Sequence, residues 1–127
     1  MVRAVRGATT VNENDRQEIL DRTGELLSLL IEQNSIPKGD IISVIFSVTK
    51  DLNAAFPAVA ARNLGWTDIA LMCTYEMDVP DSLRKCIRVM LHFNTDKSNS
   101  ELKYIYLHEA KGLRKDLFEK DLKLEEN

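Results

Sequence analysis

The chain is poor in the residues that build most recognisable reactive centres. Among its 127 residues are two cysteines and two histidines. Cys73 and Cys86 form no CxxC pair, and nothing marks the chain for secretion, so both are expected to be free thiols. His92 and His108 have no ligand spacing to cysteine or carboxylate, which argues against zinc. No GxGxxG, Walker A, GxSxG or HExxH pattern occurs, so the usual cofactor and nucleophile routes are missing and no cofactor is expected. No apolar run approaches the ~20 residues of a membrane span, and the N-terminus has no signal-peptide core. There is no basic excess either: the net charge of −3 argues against nucleic acid as the main partner. A cytoplasmic protein is expected, with no membrane and no nucleic acid among its partners.

What is present is ordinary for a globular protein, at 44% hydrophobic and 29% charged. The length points to one domain with a small core that self-association would help. Val2 to Arg6 reads as a strand ended by Gly7. Asp15 and Glu18 form a capping-box-like pair that opens a helix to about Gln33, with Ile19, Leu20, Leu26, Leu27, Leu30 and Ile31 on one stripe. Residues 41–49 read as a strand with Ile42, Val44, Phe46 and Val48 on one face. Pro57 to Leu64 reads as a short helix stopped by Gly65. Residues 68–77, 83–95 and 102–110 read as three further strands. The expected fold class is α/β: one small domain with a mixed five-stranded sheet, one long helix and one short helix. The domain should cover residues 1–115, with a charged tail over 116–127.

One strand poses a chemical question. In "KCIRVMLHF" (85–93), Arg88 stands among apolar residues, and a guanidinium does not give up its charge. Alternation puts Cys86, Arg88, Met90 and His92 on one face and Ile87, Val89, Leu91 and Phe93 on the other, the core face. Arg88 then lines a cleft beside the core. By itself the pattern fits a structural ion pair with a nearby acid as well as it fits an anion site.

"VRGATTV", "FPAVAAR", "CTYEMDV" followed by "KCIRVM", and "IYLHEAKGLR" occur in order over nearly the whole chain. Each is weak alone. Together they resemble the small trimeric chorismate mutases of the pseudo-α/β-barrel class. That resemblance implies an isomerase that converts chorismate to prephenate by a Claisen rearrangement, on the route to phenylalanine and tyrosine, without cofactor or covalent intermediate. It also implies a homotrimer with active sites between adjacent subunits. By the same resemblance Arg88 donates to the ether oxygen, Glu76 contacts the ring hydroxyl, and Cys73 lines the pocket. Arg6 and Tyr106 hold a substrate carboxylate. Arg62 and Arg114 add positive potential, and Phe56, Ala58, Leu71, Met72 and Leu113 form walls. Each has a plainer alternative: a solvated charge for Arg6, Glu76, Arg62 and Arg114, a small buried hydrophobe for Cys73, a core-edge ring for Tyr106, and ordinary core for the apolar set.

Two features sit awkwardly with that assignment. Cys73 and Glu76 are three apart, so a regular strand would point them to opposite faces, and the strand must end or twist near Tyr75 to bring both to one ligand. The chain also has Val59 where the family pattern has Lys, Met72 where it has Thr, and one residue fewer before the tryptophan of "LGW". The rival readings are a small trimeric enamine or imine deaminase and a metabolite-sensing module for an aromatic-pathway acid.

Overall fold

Asp15 starts the long helix as its spacing predicts. Its Oδ2 accepts from the Glu18 N–H at 2.9 Å, satisfying one of the free donors of the first turn. The box is not closed reciprocally: the Glu18 carboxylate accepts from the N–H groups of Asn12 and Glu13 instead. In this computed structural model, which describes residues 1–113, the helix α1 spans Arg16–Gln33. It buries Ile19, Leu26, Leu27 and Leu30 completely, while Leu20 and Ile31 are only partly covered. Each such side chain stabilises the fold by about 1.5–3 kcal/mol relative to exposure.

The strands are β1 (Val2–Thr10), β2 (Ile41–Val48), β3 (Ala70–Tyr75), β4 (Cys86–Asn94) and β5 (Ile105–Tyr106), with a short helix α2 (Ala58–Asn63) after β2. They form one mixed sheet in the order β3-β2-β4-β1-β5. β4 runs antiparallel to both β1 and β2, and β2/β3 and β1/β5 are parallel. The helix α1 packs on β1 and α2, and this side of the sheet holds the main core of Val5, Val44, Phe46, Val89, Leu91 and Phe93.

Three local expectations change. β1 does not stop at Gly7 but runs on to Thr10. Gly7 is there for a close approach: a Cβ would meet Leu26 Cδ1 at 2.9 Å and the Ile105 carbonyl oxygen at 3.1 Å. In β2 a bulge between Ile41 and Ser43 resets the alternation. Ile41 is therefore buried and Ile42 is exposed, the reverse of the simple period-2 reading. Only Ile105 and Tyr106 of the expected last strand pair with the sheet. The chain before them is held by a side chain instead. Asn34, almost fully buried, donates to the carbonyls of Leu30 and Lys103 and accepts from Lys103 N at 2.7 Å. The amide thus supplies the partner that a neighbouring strand would otherwise give.

Register divides the side chains between two faces. The face away from α1 carries Arg6 and Ala8 of β1, Ile45 and Ser47 of β2, Met72 and Thr74 of β3, and Arg88 and Met90 of β4. One row across it reads Met72, Ile45, Met90, Arg6. Its three apolar members are exposed, Met72 by 63% and the other two by 37% each.

Candidate active site

Arg88 lies on the second face, where alternation placed it. Its cross-strand neighbours are Ala8 and Ser47, both small, so the guanidinium has room above them. Its Nε lies 3.4 Å from Glu76 Oε1, and about a third of the Arg88 side chain (32%) is open to solvent. The Nε itself is buried and has no aligned hydrogen bond among the described residues. A pair this exposed contributes about 0–1 kcal/mol to stability. Its effect is on orientation: Glu76 holds the cation in place without consuming its donors.

Glu76 follows directly on β3, which ends at Tyr75. The Glu76 N–H still bonds the Val48 carbonyl at 2.8 Å, and the chain then turns away. Cys73 is inside the strand, paired with Phe46 and packed against the main core. The three-residue spacing thus does what parity demands, and within one chain Cys73 and Glu76 face opposite sides of the sheet.

Tyr106 is the β1 neighbour of Ala8 on the far side from Arg88. It packs with Ala8, Cys86 and Ala110, with Leu83 and Leu113 partly covering the cluster. Its hydroxyl is buried with no partner among the described residues, an arrangement that costs about 1–3 kcal/mol. Arg6 lies on the same face, partly buried, opposite Met90. Arg6, Glu76, Arg88, Tyr106 and Leu113 therefore gather on one side of the sheet.

The other expected residues gather elsewhere. Phe56, Pro57, Cys73, Thr74 and Tyr75 line an open groove of about 400 Å³ along the β3 edge. Phe56 is exposed by 71%, while Ala58, the first residue of α2, is buried in the main core and Leu71 is partly buried against it. Arg62 is exposed on α2. Met72, on the second face of β3, stands between the two groups. Arg114 and the tail lie outside the described residues. Among the described residues no group of three or more His, Cys, Asp or Glu could hold a metal ion, and no helix is long and apolar enough to cross a membrane.

Cys86, on the same face of β4, is buried beside the cation. Burial pushes its thiol up to about 11, and Arg88, by charge and hydrogen bond, pulls the other way. A raised folded-state value means that the protonated thiol is favoured by the fold. Its contribution is intact below about 9.0 and is lost as pH rises toward about 11. Unfolding titrations across that window should show stability falling by on the order of 1 kcal/mol per pH unit. Cys86→Ala should flatten that slope, and a slope unchanged by the substitution would assign it to another group.

Three comparisons bear on this arrangement. The family model described as chorismate mutase type I matches residues 2–117. The chain is 43% identical over 118 residues to the chorismate mutase AroH of Bacillus subtilis (strain 168), covering 92% of this chain and 93% of that protein. It is 44% identical over 118 residues to the chorismate mutase AroH of Thermus thermophilus, covering 92% and 97%. A solved structure of a chorismate mutase from Clostridium thermocellum matches with a TM-score of 0.85 and 59% identity, covering 86% of this chain and 97% of that one.

Proposed function

This chain belongs to the type I chorismate mutase family and is a chorismate mutase, an isomerase; from that premise we propose that two half-sites, one from each of two adjacent subunits of a homotrimer, convert chorismate to prephenate. The first half-site is Arg88, Glu76, Arg6 and Tyr106, with Leu113 beside it. The second is the β3 edge with Phe56, Ala58, Leu71, Met72, Cys73 and Arg62.

The reaction is internal to the substrate. The ether C–O bond breaks as a new C–C bond forms, with no leaving group and no proton transfer. The protein has two tasks. It holds the flexible substrate in the compact conformer that brings the reacting carbons together. It also meets the negative charge that grows on the ether oxygen. Arg88 suits the second task because its guanidinium is oriented before substrate arrives, and such a donor stabilises the transition state more than the ground state. Glu76 accepts from the ring hydroxyl while it holds Arg88. Arg6 and the unpartnered Tyr106 hydroxyl bind a carboxylate. Arg62, and Arg114 by resemblance, add positive potential for a dianion.

The observation that carries this reading is the state of Arg88: a cation about one-third open to solvent with a buried, unbonded Nε, held by one carboxylate on a face that also carries Arg6. Support for the trimer comes from the separation of the two half-sites in one chain and from the open row of Met72, Ile45 and Met90. Chorismate loss and prephenate formation, followed across pH, test the chemistry. Turnover should be flat between about pH 6 and 9, with a solvent deuterium effect near unity, because no general acid or base takes part. A bell-shaped profile in that range would reject the mechanism.

A further inference from the structure

The backbone just ahead of Arg88 is held in a conformation that its residue type disfavours. Lys85 has φ +49°, in the left-handed region that a residue with a Cβ seldom occupies. It stands immediately before β4, and four of the polar main-chain groups of Lys85 and Cys86 have partners. The Lys85 N–H donates to both oxygens of Asp51, at 3.2 and 3.0 Å. The Lys85 carbonyl accepts from Val11 N at 3.0 Å. The Cys86 N–H donates to Thr49 Oγ1 at 3.0 Å, and the Cys86 carbonyl accepts from Thr49 N at 3.1 Å. The Thr49 hydroxyl in turn donates to Asp51 Oδ1, which leaves its lone pairs for Cys86. The Asp51 carboxylate therefore holds the Lys85 N–H directly and the Cys86 N–H through the Thr49 hydroxyl.

We propose that Asp51 is a positioning residue: by holding the left-handed Lys85 backbone and the Thr49 hydroxyl, it sets where β4 begins and hence where Arg88 points. This rests on the reading of Arg88 as the cation that meets the ether oxygen. The loop from Glu76 to Lys85 joins the two members of the ion pair, and Asp51 ties its far end. A strand entered one residue out of step would turn Arg88 toward the core, because side chains alternate with a period of two. Even a partial loosening matters, since displacement of a catalytic group by about 1 Å can cost around 10²-fold.

A cycle of variants separates positioning from general stability. Asp51→Ala should lower kcat by about 10- to 100-fold when assayed well below its Tm, with a much smaller change in KM. Lys85→Gly alone should stay near wild type, because glycine adopts the left-handed region without a steric cost. In the double variant, glycine supplies the conformation that Asp51 no longer enforces, so most of the lost kcat should return. A merely structural role predicts a lower Tm with unchanged kcat per folded molecule, and that result overturns the proposal. A double variant no better than Asp51→Ala also overturns it. Should Asp51→Ala fail to fold, Asp51→Asn, which keeps one accepting oxygen, must still lower kcat, and an unchanged kcat counts against the idea. Arg88→Ala is measured in parallel. If it retains turnover, the reading of Arg88 fails; if it is inactive while Asp51→Ala is fully active, only the present proposal fails.

Discussion

Arg88→Ala should reduce turnover by about 10²–10³-fold, the loss expected when one preorganised electrostatic donor is removed, or about 2.7–4 kcal/mol of transition-state stabilisation. Ground-state binding should suffer as well, for a reason specific to this site. Glu76 lies 3.4 Å from the Arg88 Nε and is itself only about a quarter (26%) exposed. Without the guanidinium its carboxylate faces a substrate dianion unscreened. KM should therefore rise in Arg88→Ala, and adding Glu76→Gln should bring KM back while leaving kcat low. Arg88→Lys should recover only part of kcat, because an ammonium cannot both face Glu76 and present a planar fork to the substrate. The measurement is chorismate disappearance at saturating and limiting concentrations. Near-wild-type kcat in Arg88→Ala would show that the charge on the ether oxygen is met by another group.

The features of this site that were legible in the sequence are those set by local periodicity. Alternation alone placed Arg88 opposite Ile87 and Val89, and both of those are buried. The stripe and Asp15 located α1 almost to the residue. Features set by distant partners were not legible. Gly7 looks like a break until Leu26 and Leu30 are known to press against it. Ile42 looks like core until the pairing of β2 with β4 introduces the bulge. The run around Tyr104 looks like a long strand, but its backbone is partly satisfied by the side chain of Asn34, 69 residues away at Lys103. Asp51 follows the same rule, since it reads as a turn residue after β2 and its principal partner, Lys85, is 34 residues on. The assignment of Arg6 and Tyr106 to one ligand came from resemblance, because no spacing within the chain links residues 100 positions apart.

Within one chain Cys73 and Glu76 face opposite sides of the sheet, and the proposed sharing of each site between two subunits makes a strong prediction about mixtures. Arg88→Ala disables the first half-site. Phe56→Asp should disable the second by placing a carboxylate in the groove, and Phe56 is so exposed that the fold should tolerate the change. Each variant alone should be nearly inactive. Co-folded in equal amounts, they should regain about a quarter of wild-type activity, because every mixed trimer of this cyclic kind contains one interface built from two intact halves. No recovery, with mixed trimers shown to form, would place both groups in the same subunit's site. Ile45→Asp approaches the same point from the other side. Ile45 occupies the middle of the exposed row between Met72 and Met90, away from the core. A carboxylate there would have to be buried unpaired on assembly, which costs several kcal/mol per ion. Sedimentation should find monomers, and their turnover should be lost while their helical signal is kept. Full turnover by those monomers would mean that one chain closes its own site, which the opposite facing of Cys73 and Glu76 argues against.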